Sequence, residues 1–80
     1  MSFNKWIDTF IEEKGIDTEE IIEVEGQSGL NMIPVGVVIE HMKSAVDVEQ
    51  QAIKDTIVKI DFMNGDVLDF IKHLAGAIAI

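Results

Sequence analysis

Eighty residues, 48% of them hydrophobic with a mean hydropathy of +0.23, make one small domain that is too apolar to remain disordered. Six Lys and no Arg stand against fifteen Asp and Glu, a formal net charge of −9. No guanidinium fork is present to grip phosphate or guanine, and the overall field repels polyanions, so direct binding to nucleic acid or to an anionic membrane is not expected.

The chain has no Cys, so neither a disulfide framework nor a thiolate metal site is available, and the fold must stand on packing alone. The first residues lack a basic stretch followed by an apolar run, so a secretory leader is not expected. Apolar runs reach about a third of a membrane span. A cytoplasmic protein is the expectation.

From Phe3 to Glu13 the apolar residues Phe3, Trp6, Ile7, Phe10 and Ile11 recur at i, i+3, i+4, i+7 and i+8, one stripe of an amphipathic helix. Ser2 is its candidate N-cap and Gly15 its left-handed stop. Asp17 with Glu20 resembles a capping box and suggests a short helical turn towards Glu25, although Ile22-Glu23-Val24-Glu25 also alternates like a strand. Gly26-Gln27-Ser28-Gly29 reads as loop. Asn31 is the next candidate cap, with Pro34 in the first turn of a helix whose stripe is Val35, Val38, Ile39, Met42 and Val46. Gly36 weakens that helix by about 1 kcal/mol relative to Ala unless a close neighbour uses the gap.

Asp47 and Gln50 form a second capping-box candidate, followed by a stripe of Ala52, Ile53, Thr56, Ile57 and Ile60. Val58, Ile60 and Phe62 alternate with Lys59 and Asp61 ahead of Asn64-Gly65, a competing strand-and-hairpin reading. No strong partner strand follows. Residues 66–79 instead place Val67, Leu68, Ile71, Leu74, Ala75 and Ile78 on one helical face. The expected fold is therefore all-α, a compact bundle of four to five short helices in a single domain over 1–80, with an α+β alternative containing a strand at 57–62. The terminal run 75–80 is apolar on every side, so it either threads the core or meets another copy, and with the high apolar fraction a homo-oligomer is the expectation.

Eight of the fifteen acids lie between Asp8 and Glu25, where Lys14 alone offsets them. Glu12, Glu13, Asp17, Glu19, Glu20, Glu23 and Glu25 are the candidate partner-binding residues: a concentrated negative potential steers a basic surface. The competing explanation is a solvated face that keeps an apolar protein soluble. Asp66, Asp69 and His73 share a face of the last helix, but no metal-binding signature accompanies them, and no metal or cofactor is expected. His41 is expected to face solvent. The sparse hydroxyls lie in no G-x-S-x-G elbow, and Gly26-x-x-Gly29 has no following Lys for a phosphate loop, so no catalytic residues are assigned. Trp6, Phe3 and Phe10 are expected as core anchors, and Met32, Met42 and Met63 as gap-fillers.

In size, acidity and expected four-helix build the chain is similar to acyl carrier proteins, which carry their prosthetic group on the Ser of a D-S-L motif. The nearest stretch here, Gln27-Ser28-Gly29-Leu30, lacks the Asp and has Gly in place of the Leu, so membership is not claimed. The leading expectation is a non-catalytic acidic interaction module, a small oligomeric inhibitor or antagonist that binds a basic protein surface. Size and charge alone suggest phage-type anti-defence proteins (anti-CRISPR-like) or nucleic-acid mimics as analogues. The alternative is a carrier or small-molecule-binding module that uses Ser28 or a pocket at an oligomer interface.

Overall fold

The computed structural model describes residues 2–26, 29–63 and 66–77. Their order is α1 (Phe3–Lys14), β1 (Ile21–Gly26), β2 (Gly29–Pro34), α2 (Val35–Lys43), α3 (Asp47–Met63) and α4 (Val67–Ala77). The protein is mostly helical, with one two-stranded antiparallel sheet.

α1 forms as its periodicity requires. Ser2 Oγ accepts a hydrogen bond from the Lys5 amide, and Gly15 takes φ +65° at the other end. There the Gly15 amide donates to the Glu12 carbonyl and the Ile16 amide to the Ile11 carbonyl, a Schellman closure that only a residue at ease in the left-handed region completes cheaply.

Residues 21–34 depart from the all-α expectation. They form a hairpin with the register Ile22↔Ile33, Val24↔Asn31 and Gly26↔Gly29. The Asp17–Glu20 stretch opens no helix: Asp17 Oδ1 accepts from the Glu19 amide at 2.9 Å and the Glu20 amide donates to the Asp17 carbonyl, which makes a turn. Asn31 lies within β2 rather than at a helix start, and the residue at the N-cap position of α2 is Pro34, at φ −65°, ψ 142°. The physical reason is burial: Ile22, Val24 and Ile33 alternate onto one buried face. β-branched residues lose little on a pleated surface but are crowded in a helix. Pairing runs on past Pro34, with the Val35 amide donating to the Glu20 carbonyl and the Gly36 amide to the Thr18 carbonyl, both at 2.8 Å. Gly36 is thereby explained, since a Cβ there would stand 3.2 Å from the Thr18 carbonyl oxygen.

The strand alternative at 57–62 is also corrected, because α3 runs unbroken through that stretch. Gln50 does not close a capping box. Its Nε2 donates to the Lys43 carbonyl at 3.0 Å and to the Met42 carbonyl at 3.5 Å, covering open carbonyls at the end of α2.

The core sits between the hairpin and the helices. α4 packs across β1, α2 packs on β2 and α4, and α3 meets α1, α2 and α4. Val35, Val38, Ile39 and Met42 of α2 meet Ile57 of α3 and Val67, Ile71 and Ala75 of α4, with Ile7 and Phe10 of α1 in the same cluster. The Phe3–Trp6–Phe10 series packs ring on ring at centroid distances of 6.0 and 5.5 Å, with the Lys54 ammonium 5.3 Å from the Trp6 ring centroid. Val46, Met32 and Met63, expected inside, are exposed. Ala75 is fully buried within the single chain, so this part of the terminal segment covers its own core. Asn64, Gly65 and 78–80 lie outside the described residues.

Candidate functional site

The acidic half unfolds along one continuous path: the C-terminal turns of α1, the 15–20 connection, and β1. Glu12, Glu13, Asp17, Glu19, Glu20 and Glu23 are all exposed, while the Glu25 side chain lies outside the described part. Ordinary pairing would mute this field, and two cations are positioned to do so. Together they neutralise one acid of the segment, Asp8. Lys14 reaches away to Asp61 of α3 at 2.9 Å, and Lys43 of α2 holds Asp8 at 2.6 Å. Of the acids from Asp8 to Glu23, only Asp8 is ion-paired among the described residues. From Gly15 to Met42 the sequence contains no Lys at all.

The hairpin adds what the sequence reading missed. Its inner face is covered, but its outer face carries Ile21, Leu30 and Met32, which are 50%, 66% and 63% exposed. In the register Glu23 stands opposite Met32, Glu25 opposite Leu30, and Ile21 opposite Pro34. An apolar row on β2 therefore runs beside the exposed Glu23 of β1. The signal was present in the alternation of Ile22 to Glu25, but its meaning depended on which strand lay alongside.

A second exposed stripe lies along α3. Phe62 is 90% and Val48 76% exposed, and Val58 falls between them on the same side of the helix. Asp55 and Lys59 border Val58, so this stripe carries both signs of charge.

Asp66, Asp69 and His73 do come together, around an open depression with Ile60 and Phe70. Among the described residues they do not form a group able to hold a metal ion. Asp66 accepts the Asp69 amide at 3.3 Å, a cap for α4. Its carboxylate, by hydrogen bonding and then by like charge, lifts the Asp69 carboxyl above its ordinary value. With the folded value raised, this pair favours the folded state below the ordinary carboxylate range, and the benefit is lost as pH climbs through the raised value. Solvent screening keeps the effect small.

His41 is exposed, as expected. Three hydroxyls are engaged with their own helices: Thr9 donates to the Lys5 carbonyl, Ser44 to that of Glu40 and Thr56 to that of Ala52, at 2.8–3.0 Å. Ser28 lies outside the described residues. A hollow of about 510 Å³ opens among α2, α3 and α4, lined by Met42, Ala45, Ala52, Ile53 and Leu74, with His41 and Glu49 also in its wall. No helix among the described residues is long and apolar enough to cross a membrane. No protein-family model, no curated protein and no solved structure matches the chain.

Proposed function

We propose that this protein is a non-catalytic acidic interaction module of the cytoplasm, an inhibitor or antagonist that binds a basic surface on another protein. The observation that carries the reading is the destination of Lys14. The Lys within the 8–25 segment is tied to Asp61 on α3, and Lys43 meets Asp8 alone, which leaves Glu12, Glu13, Asp17, Glu19, Glu20 and Glu23 exposed and, among the described residues, without ion pairs. Concentrated charge of one sign accelerates encounter with an opposite surface by about 10–10³-fold at low salt. Anti-CRISPR-like or nucleic-acid-mimic action is the functional class that such charge suits.

The test is charge reversal of three exposed residues. Glu19→Lys, Glu20→Lys and Glu23→Lys together are expected to weaken binding to a Lys-rich peptide by about 10–100-fold at low ionic strength, with the far-UV spectrum unchanged. Unchanged affinity in the triple variant would end the acidic-surface reading.

Self-association belongs to the same proposal, and the exposed α3 stripe offers a surface for it. An antiparallel pair of α3 helices would cover Val48, Val58 and Phe62 and set Asp55 near Lys59 of the other copy. Phe62→Ser is expected to lower the association constant at least tenfold in sedimentation equilibrium, and an unchanged constant removes the stripe from the interface. The second reading, a small-molecule carrier, is favoured by the apolar hollow beside Met42 and Leu74. A native mass spectrum showing a retained ligand, or an adduct on Ser28, would bring it to the front.

A further inference from the structure

We infer that the outer face of the β1–β2 hairpin seats a cationic amphipathic helix of another protein. This rests on the acidic-module reading and adds a place and a shape to the partner. The face is a two-row surface: Leu30, Met32 and Pro34 stand along β2, opposite the β1 positions Glu25, Glu23 and Ile21. Exposed apolar side chains in contiguous array are the unusual feature, because the inner face of the same hairpin already buries Ile22, Val24 and Ile33 on the side of α4 and α2. A helix laid on the open face would complete a helix–sheet–helix layering.

The charges choose the occupant. No Lys occurs between residues 15 and 42, and the nearest two, Lys14 and Lys43, are committed to Asp61 and Asp8. Glu19 and Glu20 add exposed carboxylates at the entry to β1. A second copy of this chain does not fit. Twofold stacking about an axis along the strands would press Glu23 onto the apolar row of the other copy. Twofold stacking across the strands would press carboxylate against carboxylate. Either arrangement desolvates Glu23 without a cation. A helix with Leu-like side chains on one side and Lys or Arg on the other satisfies both rows at once. Six-residue strands span about 20 Å, which a helix of about 13 residues matches.

The experiment uses two peptides of about 14 residues and identical Leu/Lys composition. One is ordered to be amphipathic as a helix, and the other is scrambled to have no apolar face. Calorimetry and amide chemical shifts are recorded with the unaltered protein, with Leu30→Ser/Met32→Ser and with Glu23→Gln. The expected result is at least tenfold tighter binding of the amphipathic peptide, with shifts centred on 21–24 and 30–33. Leu30→Ser/Met32→Ser should abolish that preference, and Glu23→Gln should weaken both peptides severalfold. Both double-variant positions are exposed, and Leu30→Gln alone serves as a milder second variant if the pair disturbs the hairpin. Equal binding of both peptides, indifferent to Leu30 and Met32, overturns this inference and leaves the acidic-module reading standing. No binding of either peptide overturns that reading too. Concentration-dependent self-association lost in Leu30→Ser/Met32→Ser identifies a second copy as the occupant, and also overturns the inference.

Discussion

Replacing Ile57 by Ala is expected to cost about 2–5 kcal/mol of stability, the range for deleting a large aliphatic side chain from a packed core. Ile57 is 0% exposed and is the one side chain of α3 in the buried core, where it meets the α2 and α4 cluster. Close packing leaves little freedom to collapse around the cavity, since α3 is also held at its N-terminal end by Gln50 on the α2 carbonyls. Urea unfolding reads the loss directly. With a slope of about 1 kcal/mol/M for so small a domain, the midpoint should fall by about 2 M or more. Val58→Ala is the control one residue on, half exposed on the outer side of the same helix, and should cost under about 1 kcal/mol. Equal losses at the two positions would mean that α3 is rotated from the orientation described.

Ile71→Asp should unfold the protein at neutral pH. Ile71 is 1% exposed on α4, the helix that lies across β1. Among the described residues the buried cluster around it is wholly apolar, and an unpaired buried charge costs several kcal/mol, comparable to the whole stability of a small domain. Burial would raise the folded-state pKa of the new Asp above its unfolded value. Its contribution is therefore least harmful below the ordinary carboxylate range, and structure should return in part on acidification. Far-UV circular dichroism and Trp6 fluorescence between pH 7 and pH 4 follow this recovery. Ile71→Asn, with no group to titrate, should be destabilised with no such recovery beyond that of the unaltered protein. Folded Ile71→Asp at neutral pH would show that α4 does not close the core over β1.

How far the residues alone lead differs from element to element. α1 was legible to its caps, because everything that decides it lies within its own fourteen residues: the stripe, the Ser2 hydroxyl and the left-handed Gly15. α4 was legible for the same reason of unbroken period. The hairpin was not. Ile22-Glu23-Val24-Glu25 satisfied two periods at once, and the deciding term was the burial of Ile22 opposite Ile33, with Val24 on the same face, a pairing across the turn. Asp17 and Asn31 looked like caps because short polar side chains cap turns and helices alike.

The acidic surface follows the same division. Composition and order by themselves determined that this chain is acidic, free of Arg and Cys, largely helical, and charged most densely from Asp8 to Glu25. Covalent order fixes such properties and the local periods that follow from it. Only the tertiary structure decided that Lys14 and Lys43 turn to partners on other elements, that Ala75 is buried in its own core, and that Leu30 and Met32 emerge beside Glu23. Each of those is a pairing between residues distant in sequence. Pairing energy depends on which faces are buried together, and no local pattern contains that information.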